Sequence, residues 1–196
     1  MTAKAFYDWQ TAGGGGDVTR AIAVLERLGA RWCVIGGIAV NHWAEEPVVT
    51  ADVDMVVAVE SVDVAIKALE EEGFTAERFP WSINLKGSSR VSIQISTGEE
   101  YRKIPGRSIP ADVWGILMRV ASLEDTLAGK IAAYSDVSRR PSKRQKDFLD
   151  ILRLAESHPE IIGLLPDALR DEVMGKIKGH KDSTTNLTNH TNREDG

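Results

Sequence analysis

The chain has 196 residues and sets 24 Lys plus Arg against 29 Asp plus Glu, a net charge of −5. That balance excludes a generally cationic nucleic-acid coat, because sequence-independent binding of that kind needs a clear basic excess. Hydrophobic residues make up 42% of the chain, enough for a packed core, and the single cysteine, Cys33, permits no internal disulfide and fits a reducing, cytoplasmic compartment. Met1 to Gln10 holds one Lys and no apolar stretch, so no signal peptide is expected. No run approaches the roughly 18 apolar residues of a membrane span. The charge is uneven. Glu45 to Glu72 holds nine acidic residues and one Lys, whereas Ser138 to Arg153 holds six basic residues and two aspartates. Such an asymmetry suits a partner that carries both a metal and phosphates.

In chain order, the run Gly13-Gly14-Gly15-Gly16 reads as a flexible hinge, and no Gly-Lys-Ser/Thr follows it to make a P-loop. Asp17 is placed to cap a helix with Val18, Ala21, Ile22, Leu25 and Leu28 on its apolar face. Trp32 to Ile35 reads as a buried strand, Gly36-Gly37 breaks it, and Ile38 to Ala44 as a short helix. Asp52 to Val59 reads as a central strand, and Ser61 opens a helix with Val62, Ala65, Ile66 and Leu69 on one face. Ile83 to Leu85 and Arg90 to Ile95 predict two strands joined at Lys86-Gly87-Ser88. A loop containing Pro105 and Pro110 follows, then a strand at Ile116 to Val120. Capping-box spacing at Ser122/Asp125 and at Ser142/Gln145 predicts two helices, to about Tyr134 and Ser157.

The expected organisation is a flexible N-terminus over 1–16, an α/β lobe over 17–121, a helical lobe over 122–179 and a disordered tail over 180–196. The fold class is therefore mixed α/β (α+β), with a small mixed sheet followed by helices.

The chemistry concentrates in Gly36-Gly37-Ile38-Ala39 and Thr50-Ala51-Asp52-Val53-Asp54. Asp52 and Asp54 are two apart on a strand, so both carboxylates point to one face. Held that close they repel, and a cation between them relieves the cost. Mg²⁺ takes oxygen ligands and commonly bridges one or two carboxylates to substrate phosphates, and Mn²⁺ can replace it. Glycines at the strand-to-helix turn allow backbone to approach a phosphate, at a helix N-terminus that favours negative charge. Lys130 falls on the apolar face set by Leu123, Leu127 and Tyr134, which leaves three readings: contact with a substrate phosphate, a pair with Asp147 or Asp150, or a stem that snorkels to carry its charge to solvent. Arg139, Arg140, Lys143, Arg144 and Lys146 crowd the start of the next helix, where positive charge opposes the dipole and suits an anionic partner.

Val34 to Val40 and Thr50 to Val57 resemble the signature of nucleotidyltransferases of the DNA polymerase beta superfamily, and more closely the abortive-infection type II toxin-like (AbiEii-like) branch. Ser122 to Ala133 and Lys143 to Asp150 resemble the later Lys and basic-residue-plus-Asp segments of that group, so the likeness spans about Asp17 to Glu156. The resemblance implies Asp52 and Asp54 as metal and catalytic residues, Lys130 as a catalytic and nucleotide-binding residue, and Gly36, Gly37, Thr50, Lys143 and Lys146 as nucleotide-binding. It also implies a nucleoside triphosphate substrate, an RNA (such as tRNA), protein or small-molecule acceptor, and an antitoxin partner.

Two positions depart from the pattern. Active members place a third carboxylate on a later strand, where Arg90 to Ser96 offers Ser92, Gln94 and Ser96. Gln94 can coordinate or hydrogen-bond but cannot take a proton at neutral pH. Transfer then relies on two aspartates, another acid such as Glu99 substitutes, or the protein only binds nucleotides. Val48 and Val49 stand where the group commonly carries an Arg. A metal-dependent glycosyltransferase also uses Asp-x-Asp, but gives the Gly-Gly turn no role.

Overall fold

The computed structural model describes residues 14–48, 50, 52–113 and 115–191, with side chains for all of these except Val59 and residues 180–191. Helix α1 (Gly15–Arg27) buries Val18, Ala21, Ile22 and Leu25, the face that its helical spacing predicts. Strand β1 (Trp32–Val34), helix α2 (Gly36–Trp43) and strand β2 (Asp52–Val57) follow. A 3-10 turn at Val59–Ser61 leads into α3 (Val62–Glu71). Next come β3 (Thr75–Phe79), β4 (Ser82–Lys86) and β5 (Ser92–Ser96). Two 3-10 turns, Glu99–Tyr101 and Ile104–Arg107, lead to β6 (Ile109–Val113) and β7 (Ile116–Val120). The rest is helical: α4 (Leu123–Ser135), α5 (Pro141–Ser157), a 3-10 helix at Pro159–Leu164 and α6 (Asp167–Thr191).

The strands form one mixed seven-stranded sheet in the order β3-β4-β5-β2-β1-β7-β6. The pairs β2–β5 and β1–β7 are parallel and the others antiparallel. One face of the sheet carries Val53, Met55, Val57, Ile83, Leu85, Ile93 and Ile95, which pack with α1 and α3 into the main core. Alternation then sends Asp52, Asp54, Ser92 and Gln94 to the opposite face. Near β1 that face is closed by a small cluster of Cys33, Val56, Ile104 and Ala121. Burial pushes the Cys33 thiol up to about 12, so it is a packing residue and not a nucleophile.

The chain divides into two compact units, Met1–Lys130 and Ile131–Gly196. The first holds the sheet. In the second, α5 packs against α6, and Ile151, Leu154 and Val173 are fully buried.

Several local expectations change. The glycine hinge lies partly in residues 1–13, outside the described residues, whereas Gly15 and Gly16 already belong to α1. Asp17 does not cap the helix. It sits inside the first turn, and its carboxylate reaches the β4–β5 loop, accepting from Ser88 Oγ at 3.0 Å and Ser89 N at 2.7 Å. Two strands absent from the sequence reading are present, β3 and β6, and both are sheet edges. Pro110 fits β6 because an edge strand leaves one row of backbone groups unpaired. Ser122 does cap α4, accepting from Asp125 N at 3.1 Å, but Ser142 caps nothing because α5 starts one residue earlier at Pro141. Where a tail was expected from 180, the α6 backbone runs on to Thr191, since each added residue of a formed helix gains a backbone hydrogen bond. Residues 192–196 lie outside the described residues. No helix among the described residues is long and apolar enough to cross a membrane.

Candidate active site

The site is built where β1 hands over to α2 beside β2. Gly36 is the first residue of α2 and has φ +63, a left-handed conformation that side chains other than glycine rarely adopt. A Cβ at Gly36 would collide with the Asp54 carboxylate. A Cβ at Gly37 would lie 3.0 Å from Thr50 Oγ1 and 3.3 Å from Thr50 Cβ. The two glycines therefore do different work: one admits Asp54 and the other admits Thr50. Thr50 is buried, and its hydroxyl donates to the Asp52 carbonyl at 3.2 Å, which ties the entrance of β2 to its own first residue. The backbone link is completed by Ile35 N, which donates to Asp54 O at 2.9 Å.

Asp52 is exposed and Asp54 half-buried on the same strand face. Among the described residues, no group of three or more His, Cys, Asp or Glu side chains could hold a metal by itself. Two carboxylates on one face fit a hard divalent cation whose remaining ligands are substrate oxygens and water.

Gln94 lies where the sequence places the third position. In the parallel β2–β5 pairing, Asp52 faces Ser92 and Asp54 faces Gln94. An amide thus stands beside Asp54. Glu99, the candidate substitute acid, is instead on an exposed 3-10 turn and accepts from Arg102 Nη1 at 2.9 Å.

Lys130 is half-buried on α4, in line with the buried Leu123 and Leu127. Asp147 accepts from Arg139 Nε at 2.9 Å, and Asp150 accepts from Arg153 Nη1 at 3.1 Å. In the second unit, Arg144 donates to the Tyr134 carbonyl at 2.7 Å and lies over the Tyr134 ring, so it is a structural cation. Lys143 and Lys146 are exposed on the first turns of α5. His42 is half-buried and packs edge-on to Trp43, and burial lowers its pKa.

Asn41 escaped the sequence reading. It is buried, its Nδ2 donates to Val48 O at 2.7 Å and its Oδ1 accepts from Val48 N at 2.9 Å. This double bond clamps the loop that delivers Thr50 and Asp52. A helical Asn seven residues before its partner carries no local pattern that would have revealed it. Asn41→Ala leaves both Val48 groups to water, and stability should fall by about 1–2 kcal/mol in urea unfolding.

Similar folds occur in solved structures. ANT(2'')-Ia in complex with adenylyl-2''-tobramycin matches with a TM-score of 0.56 at 15% identity, covering 82% of this chain and 96% of that one. The lincosamide antibiotic adenylyltransferase LnuA, lincomycin-bound, matches at 0.51 and 13%, covering 71% and 97%. An antigenic nucleotidyltransferase-like protein from Paracoccidioides brasiliensis matches at 0.53 and 15%, covering 87% and 89%. At these identities the likeness concerns the fold. No curated protein sequence matches the chain. The family profile described as nucleotidyl transferase AbiEii toxin, type IV TA system, matches residues 20–195, nearly the whole chain, and so the chain belongs to the AbiEii nucleotidyltransferase toxin family.

Proposed function

We propose that the protein transfers a nucleoside monophosphate from a nucleoside triphosphate to an acceptor hydroxyl, with Asp52 and Asp54 as the metal-holding carboxylates. The observation that carries this is the fit of Gly36 against the Asp54 carboxylate, because only a glycine takes this left-handed turn and leaves room for that acid. The acceptor oxygen bonds to the α-phosphorus, the bond to the β-phosphate oxygen breaks, pyrophosphate leaves with the electron pair, and the acceptor proton passes to solvent. When bound, Mg²⁺ or Mn²⁺ would neutralise charge on the phosphates. The chain's own groups then position the substrate: Gly36 and Gly37 expose backbone to the triphosphate, Thr50 fixes the start of β2, and Lys130 adds positive charge. Lys143 and Lys146, exposed on α5, suit an anion-binding helix face. The acceptor could be RNA, a protein or a small molecule, and tobramycin adenylylation by a protein of similar fold supports testing small molecules. A toxin role beside an antitoxin partner follows from the family.

Purified protein with Mg²⁺ and each α-labelled ribonucleoside triphosphate, with and without total tRNA, should label an acceptor. Asp52→Ala should lower that labelling about 10³-fold. Equal labelling by wild type and Asp52→Ala would remove the proposal. A second reading, nucleotide binding without transfer, is favoured by Gln94 beside Asp54. It predicts thermal stabilisation by nucleotide with no label transferred.

A further inference from the structure

Helix α2 meets the chain that leads into β2 along one face. Gly37 and Asn41 are four residues apart and share that face. Gly37 lies against Thr50, and Asn41 holds Val48 through both atoms of its amide. The later helix residue meets the earlier lead-in residue, so the two runs are antiparallel. Thr50 Oγ1 in turn bonds to the Asp52 carbonyl, which carries the contact into the first residue of β2.

The helix is the fixed side of this contact. A helix of 8 residues is marginal by itself, but α2 buries Ile38, Ala39 and Val40, and Trp43 Nε1 donates to the Ala121 carbonyl at 3.0 Å. Its N-terminus has no side-chain cap, so first-turn N–H groups remain for an anion. The lead-in is the movable side, and Val48 is 39% exposed. β5 pairs with β2 from Asp52 onward, but β1 joins only from Met55. Asp52 is thus an exposed strand end, where ladders fray first. Asp54 is held better, through its register with Gln94 and through Ile35 N on its carbonyl.

We infer that Asn41 is a positioning residue for Asp52, setting how far that carboxylate stands from the N-terminus of α2. The inference rests on the nucleotidyltransferase reading of this site and adds a residue to it. A metal–triphosphate complex must meet both places at once, so a lead-in that drifts by about 1 Å costs metal binding and rate. Asn41 is buried and acts through Val48 and Thr50 rather than on the substrate. Its amide supplies one donor and one acceptor to Val48, which no aliphatic side chain can do.

The test compares the full chain with Asn41→Ala, using Ile66→Val as a destabilised control whose change lies on α3 in the main core. Without ligands, hydrogen exchange over residues 48–54 should be about tenfold faster in Asn41→Ala, with α2 unchanged, and Ile66→Val should show no such local gain. The Mg²⁺ concentration that gives half-maximal thermal stabilisation by a ribonucleoside triphosphate should rise about tenfold in Asn41→Ala. Where label transfer is measured, kcat should fall about 100-fold while the nucleotide KM at saturating Mg²⁺ stays within about threefold. If exchange and Mg²⁺ dependence respond as expected but wild type transfers no label, the positioning role stands and the transferase reading falls. Exchange that rises evenly over the sheet, an unchanged Mg²⁺ requirement in Asn41→Ala, equal losses in Ile66→Val, or a wild type with no Mg²⁺-dependent response would each overturn the inference.

Discussion

Gly36→Ala should lower nucleotide transfer at least about 100-fold, the size of loss that follows when a reacting group is displaced by about 1 Å. Two effects combine. The residue sits at φ +63, where a side chain costs about 1–2 kcal/mol. The added methyl also occupies the position of the Asp54 carboxylate, so that carboxylate must move. Gly37→Ala provides the comparison, because its Cβ meets Thr50 at 3.0–3.3 Å, a contact that a small shift can relieve. Its loss should be the smaller of the two. Steady-state rates with labelled nucleotide and melting curves for both variants measure the difference. Equal activity in Gly36→Ala and wild type would show that Asp54 need not occupy its observed place.

Asp17→Ala should lower stability by about 3 kcal/mol, or about 6–12 °C in melting temperature for a chain of this size. The Asp17 carboxylate is buried and joins α1 to the β4–β5 loop through Ser88 Oγ and Ser89 N, with Arg20 Nη2 at 2.6 Å. The loop comes so close that a Cβ at Gly87 would lie 2.5 Å from Asp17 Cγ. Burial alone would raise the carboxyl pKa. The hydrogen bonds from Ser89, Arg20 and Ser88 outweigh it and hold the group well below the usual carboxylate range. A depressed folded pKa contributes stability that is present above the unfolded value, near 3.9, and is lost as pH falls towards the folded value. The gap between wild type and Asp17→Asn should therefore be full at neutral pH and shrink below about pH 4. Urea unfolding at pH 7 and pH 3 reads the full gap and the start of its decline. A gap that stays constant across that range would mean that Asp17 contributes no ionisation-linked stability.

The core of the fold was legible where burial writes a periodic pattern. The faces of α1 and α3 and the apolar β2 and β5 are all regular in sequence, and alternation in β5 already placed Gln94 opposite the core-facing Ile93 and Ile95. Edge strands were not legible. Thr75 to Phe79 is exposed at most positions, so it carries no apolar alternation, and Pro110 argues against a strand unless the strand is known to be an edge. The motif residues of the site were legible as a cluster because strand geometry fixes Asp52 and Asp54 on one face. Their packing was not, since the meeting of Gly36 with Asp54 and of Gly37 with Thr50 depends on how α2 lies against β2. Asn41 was missed and Asp17 was misread as a cap for the same reason: each acts on a residue that local spacing does not bring near.

A metal-dependent nucleotide site on β2 is tested most directly by melting wild type and Asp52→Asn with each ribonucleoside triphosphate, with and without Mg²⁺. At least one nucleotide should raise the wild-type melting temperature only when Mg²⁺ is present, and the rise should vanish in Asp52→Asn. A rise of equal size in the variant, or no rise with any nucleotide, would contradict the site.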